Sequence, residues 1–394
     1  MDNKNKNPNV PNLRFNFEDD YTTYQLHQFA SRVTRKNKNN ASLLPLTISA
    51  QYGLVDQISF FNKSVASSDL SNYYLLQNGE FAYNKSYSND YPWGAIKRLD
   101  RYDKGCLSTL YICFKPNESL VDTDYLVHYF ESPKWYKQVS DIAGEGARNH
   151  GLLNIAVRDF FLTKHKFPSL EEQGKVADLL NKIQERIEAQ NKIIEDMHSI
   201  KNEISNRIFD LKVIEQSTNC LSAYLQEGDK TPVDTSKYKK ITIKLNKQGI
   251  VYSDINRDMA DTRPFYIRHK GELIIGKQNY FNGSIAIVDN QFDNCICSNA
   301  IMSFRISGIN KDFLYYQISN NNYLNSQSYK ANGTGQKELS EKEFLKFKIW
   351  CPSMKTQEKI VDCFKSLDNK IENEKAILNS YIQEKNYLLK NMFI

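Results

Sequence analysis

The side chains of this 394-residue chain that could do chemistry are few, and their spacing rules out most kinds. Gly144-Glu145-Gly146-Ala147-Arg148 and Gly333-Thr334-Gly335-Gln336-Lys337 look at first like phosphate-cradling loops. Neither has the G-x-x-x-x-G-K-[ST] spacing or the strand-to-helix setting of such a site, so they read as places where backbone turns closely against DNA or a neighbouring helix, with a tight turn alone as the alternative. The seven cysteines (106, 113, 220, 295, 297, 351, 363) form no C-x-x-C pair and no zinc spacing with the six histidines. Their odd number and scatter predict free thiols in a reducing compartment. The histidines stand apart from plausible nucleophiles, and no Asn-Pro-Pro-Tyr-like or S-adenosylmethionine glycine motif occurs. The expectation is a chain with no catalytic residue and no metal site.

What remains is recognition. Reading base edges needs paired donors and acceptors, chiefly Arg, Lys, Asn and Gln presented on loops. In the first half these are Lys85, Ser86, Asn89, Lys97, Arg98 and Arg101; in the second, Lys277, Gln278, Asn279, Tyr280 and Asn282. Arg148 and Lys337, at the ends of the glycine landmarks, could reach a phosphate or a base. The bland alternative for each is an exposed loop residue. Net charge is +6, and its excess lies in residues 1–167 (+3) and 213–351 (+4), while 168–212 carries −2 and 352–394 carries +1. That distribution suits two blocks facing an anionic polymer. The start, MDNKNKNPNVPNLRF, lacks the apolar core of a signal peptide, and no run is long enough to span a membrane. A cytoplasmic protein with a partly disordered polar lead-in is expected.

The elements that must position these residues are duplicated. A 42-residue segment, Pro168 to Phe209, recurs without gaps 184 positions later as Pro352 to Phe393. Identical pairs include Gln173/Gln357, Ile187/Ile371, Ile193/Ile377, Lys201/Lys385 and Phe209/Phe393. Val176, Leu180, Ile183, Ile187, Ile194, Met197, Ile204 and Ile208 fall on a 3-4 spacing. Ile360, Phe364, Leu367, Ile371, Leu378, Tyr381, Leu388 and Met392 repeat it, which predicts two long helices with a coiled-coil-like seam. Each would be roughly 60 Å long. Ser169 with Glu172 fits a capping box. Polar breaks at Gln190, Lys201, Glu374 and Lys385 suggest an antiparallel register with Lys201 beside Glu374 and Gln190 beside Lys385. The same register sets Ile194 on Tyr381, Met197 on Leu378 and Ile187 on Leu388; the alternative for the polar residues is a solvated face. Ile193, Ile200, Ile377 and Leu389 point away from the seam.

The blocks before each helix are paired too. Leu46-Thr47-Ile48 then Gly53-Leu54-Val55 matches Ile241-Thr242-Ile243 then Gly249-Ile250-Val251. Gly79-Glu80-Phe81 with Lys85 matches Gly271-Glu272-Leu273 with Lys277, and Trp93-Gly94-Ala95-Ile96 matches Asn282-Gly283-Ser284-Ile285. The two glycine landmarks complete the series.

This layout, with helices opening PSLEEQ and PSMKTQ, resembles the specificity (S) subunit of a type I DNA restriction-modification enzyme. The resemblance covers essentially the whole chain, although Lys355 and Thr356 replace the acidic pair Glu171 and Glu172. It implies an α+β fold with a pseudo-two-fold internal repeat. Two mixed α/β target recognition domains (1–167 and 213–351) would be separated by two long antiparallel coiled-coil helices (168–212 and 352–394). It implies a non-catalytic, sequence-specific DNA-binding subunit reading a bipartite asymmetric site, with the helices as a ruler. It also implies two methyltransferase subunits carrying S-adenosylmethionine, and restriction/translocase subunits using ATP and Mg. A coiled-coil scaffold without DNA readout is the competing reading, disfavoured by two elaborate basic blocks. A fused methyltransferase or nuclease is disfavoured by the missing motifs.

Overall fold

The computed structural model describes residues 10–49, 52–62, 69–88, 91–144, 151–253, 263–328 and 338–394. The chain forms two compact units, Met1–Asn191 with Ala376–Ile394, and Lys192–Lys375. The division runs through both long helices, Leu170–Ile208 and Met354–Asn391, so each unit holds the start of one and the end of the other.

In the first unit, strands Ala30–Arg32, Ile112–Pro116, Phe81–Asn84 and Ala95–Arg98 form one antiparallel sheet in that order. Alternation decides which side chain faces where. Phe81, Tyr83, Ile112 and Phe114 enter the core beneath the helices, while Ala82 and Cys113 enter a smaller core on the other face. That smaller core is roofed by two strand pairs, Leu46–Ser49 with Gly53–Asp56 and Tyr74–Gln77 with Lys104–Leu107.

The second unit repeats this frame. Its sheet runs Leu225–Glu227, Ile301–Ile306, Leu273–Gly276, Ile285–Ile287. Leu273 and Ile275 face the main core and Ile274 the smaller one. Phe81 opposes Phe114, and Leu273 opposes Phe304. The Gly-Glu landmark is a turn that both units build with the same bonds. The amide of Gly79 donates to Leu99 and that of Gly271 to Val288, at 2.9 and 2.8 Å. Both glycines have positive φ, 83° and 87°, where a side chain would strain the backbone. Glu80 and Glu272 are buried, and their carboxylates accept from the amides of Gln77 and His269, so this landmark is structural.

None of the seam residues is exposed. Within the first unit the helix segments run antiparallel, with Lys385 donating to Gln184 at 2.8 Å and Arg186 over the Tyr381 ring. In the second, Lys201 pairs with Asp368 and Phe209 stacks on Phe364. The polar register therefore differs from the expected one. Lys201 meets Asp368 rather than Glu374, and Lys385 meets Gln184 rather than Gln190, each partner six residues earlier. Charges recur along both helices often enough to permit several ionic registers, so the polar breaks alone do not single one out. Leu389 does not point outward. It is 7% exposed and belongs to the first core.

The first capping box does not form. Glu172 is instead taken by Arg14 (2.8 and 2.9 Å) and Tyr21 (3.1 Å), which leaves the Ser169 hydroxyl buried with no hydrogen-bond partner among the described residues. The amide of Leu13 also donates to Asn391, so the described part of the lead-in is tied down. The second helix, despite Thr356, keeps its serine cap, with the Thr356 amide donating to Ser353 Oγ at 3.4 Å.

Candidate nucleic-acid interface

The lysines that close the Gly-Glu landmark, Lys85 and Lys277, stand where the central strand of each sheet leaves the core. In each unit the chain just past a glycine landmark returns to that lysine. The Leu153 amide donates to the Lys85 carbonyl at 3.0 Å, and the Leu339 amide donates to the Lys277 carbonyl at 2.9 Å. The first contact is extended by Ser86 bridging to Leu152 and by the Tyr87 amide donating to Gly151 at 3.1 Å. Two segments that are distant in sequence thus meet at one end of each sheet. Arg148, Lys337 and Asn89 lie outside the described residues.

Exposure separates the candidates. Ser86, Arg101, Gln278, Asn279 and Asn282 are on the surface, and Lys85 is half-buried. Asn282 donates to Asn279 Oδ1 at 3.2 Å, which holds both amides at one turn. Arg101 has no side-chain ion pair or hydrogen bond among the described residues, so its guanidinium is free for an anion.

Four candidates are committed inside the protein. Tyr280 is fully buried and its hydroxyl donates to the Ile318 carbonyl at 2.8 Å, so it is a core residue. Lys97 pairs with Glu131 at 3.1 Å. Arg98 is held by Asp100 (2.5 Å) and Asp124 (2.6 Å), with Thr123 accepting from it at 2.9 Å. Lys277 pairs with Glu341 at 3.1 Å, and Lys230 approaches the same carboxylate at 3.4 Å. Burial alone would raise the Glu341 pKa, but its own backbone amide, Lys277 and Lys230 outweigh it and hold the carboxyl below its ordinary value. Each of these ion pairs engages its cation with a carboxylate of the protein.

One group of surface donors escaped the sequence reading. The hairpin turn between Ile241–Ile243 and Ile250–Tyr252 lies against the Asn282 turn, with the Asn246 amide donating to the Asn282 carbonyl at 2.8 Å and that of Lys247 to Gly283 at 2.9 Å. It presents Lys244, Asn246 and Gln248 beside Asn282. The signal was a polar Lys-Gln-Gly turn between two short apolar runs. No cluster of His, Cys, Asp and Glu that could hold a metal occurs among the described residues, all seven cysteines are free, and no described helix is long and apolar enough to cross a membrane.

Comparison with known proteins agrees with this frame. Residues 223–380 match the family model of the type I restriction modification DNA specificity domain. A specificity subunit of the type I restriction enzyme MjaVIII from Methanocaldococcus jannaschii is 20% identical over 298 residues, covering 68% of this chain and 69% of that protein. Among solved structures, one from work on assembly and conformational transition of the type I R-M system has TM-score 0.58 at 15% identity, covering 94% of this chain and 96% of that one. The S subunit of a type I restriction-modification system from M. genitalium has TM-score 0.53 at 16% identity, covering 98% and 99%. The matched stretch is a DNA specificity domain, and the likeness to the two solved structures extends their fold over nearly the whole chain. Residues 223–380 thus carry a type I restriction modification DNA specificity domain, and over most of its length the chain is similar to specificity subunits of type I systems.

Proposed function

We propose that this chain is the non-catalytic reader of a bipartite, asymmetric DNA site. Each unit recognises one short half-word, and partner subunits methylate adenine there or restrict unmodified DNA. The observation that carries this reading is the pair of matched contacts at Lys85 and Lys277. The same backbone frame presents Ser86-Tyr87-Ser88 in one unit and Gln278-Asn279 in the other. A common frame with different donors and acceptors at its tip is what two different words require. Methyl transfer belongs to two methyltransferase subunits that bind S-adenosylmethionine, and translocation and cleavage to restriction subunits that use ATP and Mg. The long helices join the readers and fix the number of unspecified bases between the words.

The test is a swap. Residues 1–167 are replaced by those of a specificity subunit with another word, and the methylome of cells carrying the chimera is sequenced. One half-word changes, while the other and the spacer stay. Change in both halves refutes independent reading by the two units.

A further inference from the structure

We infer that Lys385 and Glu131 form a positioning lock, holding the first recognition sheet on the long helices so that only one spacing between half-words is accepted. The inference rests on the bipartite reading above and goes beyond it by naming the residues that keep the reader in place.

Glu131 ends the helix Thr123–Glu131, which packs beside the edge strand Ala95–Arg98. One carboxylate oxygen is 2.8 Å from the Lys385 ammonium, and the other is 3.1 Å from that of Lys97 on the edge strand. A recognition strand, a recognition helix and the C-terminal long helix therefore converge on one carboxylate. His128 stands 3.8 Å away on the same helix, and its Nε2 lies 2.8 Å from Asn181 Oδ1 on the first long helix. Asn181 then donates to Asp124 at 3.1 Å, and Asp124 holds Arg98. The network is well enclosed, with side-chain exposures of 14% for Lys385, 12% for Lys97 and 3% for His128.

The second unit puts the equivalent lysine to the same use. Lys201 pairs with Asp368 and lies over the ring of Tyr316, 5.5 Å from its centroid, while the Tyr316 hydroxyl donates to Asp368 at 2.9 Å. Tyr316 is on the recognition helix Lys311–Ile318, the counterpart of the helix that carries His128. Two equivalent lysines thus tie two equivalent recognition helices to the helix pair, through different partners.

Cohesion does not call for charge at these places. Replacing a buried ion pair by apolar side chains is often neutral or stabilising. Apolar contact is non-directional and tolerates sliding, whereas a carboxylate on one element gripped by lysines from two others loses its energy when any of the three shifts. That is the property a spacing gauge needs.

The experiment reads methylated motifs genome-wide in cells carrying the wild-type gene, Lys385→Met, Lys385→Arg or Glu131→Gln. Wild type methylates its two half-words at one spacing. Lys385→Met and Glu131→Gln keep both half-words and gain sites one base longer or shorter. Their preference for the original spacing falls by about tenfold, equivalent to about 1.4 kcal/mol. Lys385→Arg keeps the single spacing. Glu131→Gln preserves side-chain shape, so it guards against loss of folding in the methionine variant, and immunoblotting reports the level of each chain. Methylation that falls equally at all sites with the spacing unchanged, or failure of both variants to accumulate, makes the cluster a stability element only and overturns the inference. A wild-type motif without two separated half-words overturns the bipartite reading itself, which is a different failure.

Discussion

The ring of Phe393, at the end of the C-terminal helix, lies 5.1 Å from that of Tyr125 in the first unit's core. Its repeat equivalent, Phe209, lies 5.6 Å from Phe313 in the second unit's core. Each recognition core is therefore closed by the helix end that the other half of the sequence repeat supplies. The same exchange is visible in the lysines, since Lys385 serves the first unit and Lys201 the second. Neither unit is complete without residues from both halves of the chain.

Gln173 and Gln357 explain one identity in the repeat. Gln173 accepts from the Asp122 amide at 2.8 Å and donates to the Pro168 carbonyl at 2.9 Å. Gln357 does the same with Asn310 (2.9 Å) and Pro352 (2.8 Å). Both are almost fully buried, and each welds the start of a long helix to the N-cap of a recognition helix. Gln173→Ala should cost about 1–3 kcal/mol, because it strands a buried amide and a buried carbonyl. The drop should appear in thermal denaturation followed by circular dichroism. An unchanged melting curve would contradict the account.

Stability in mild acid should depend on His165. Its ring is 3% exposed, with Nδ1 2.9 Å from the Tyr129 hydroxyl and Nε2 2.9 Å from Thr163 Oγ1, and burial pushes its pKa down to about 3. The unfolded chain binds this proton near pH 6.5 and the folded chain does not. The stabilisation is thus complete above pH 6.5 and declines as pH falls toward 3, by about 1.4 kcal/mol per unit. Glu131 acts in a separate window. Burial would raise its carboxyl, but His128, Lys97 and Lys385 hold it well below 4.5, so its contribution is lost only below that value. Denaturant titrations between pH 5 and 6.5 should show the slope in wild type and a flatter one in His165→Gln.

The committed and the free cations should separate in DNA binding. Arg101→Ala removes an unpaired surface charge, so affinity should fall and the salt dependence of log K should decrease by about 1. Lys97→Ala should lower the melting temperature instead. Tyr280→Phe should cost about 1 kcal/mol of stability through the lost bond to Ile318, with no change in the half-word. Fluorescence anisotropy at several salt concentrations, on the methylated motif once it is known, distinguishes these outcomes. A steeper salt slope for Arg101→Ala would exclude a phosphate contact.

Periodicity made much of this legible from sequence. The 3-4 spacing marks both helices, and the strand alternation and turn glycines align the two sheets. What could not be read were ionic partnerships between residues far apart in sequence. Lys97 and Glu131 are separated by 34 positions, and Arg14 and Glu172 by 158, so no local pattern announces either pair. The first engages a lysine that the sequence offers as a DNA contact, and the second takes the carboxylate of the expected capping box. The burial of Tyr280 is hidden from the sequence for another reason. The residue sits in a polar stretch that reads as a surface loop, yet a short turn at Tyr280–Asn282 points its ring into the core and leaves only its neighbours outside.

The long helices leave apolar side chains on their surface. Ile193 and Ile377, an identical pair in the repeat, are 44% and 41% exposed, and Ile200 is 51% exposed. An isoleucine at a repeated position on a charged helix gains nothing from water, and apolar surface retained there suits a partner site. The repeat supplies the site twice, once per unit, so two copies of one partner should bind, the methyltransferase subunits of the proposed complex. Ile193→Asp with Ile377→Asp should leave circular dichroism and melting unchanged, because neither side chain belongs to a core cluster. It should weaken assembly, because each carboxylate would have to be buried without a partner. Sedimentation velocity of the double variant with the methyltransferase subunit should show dissociation where wild type holds together. An intact two-to-one complex would remove these residues from the docking surface.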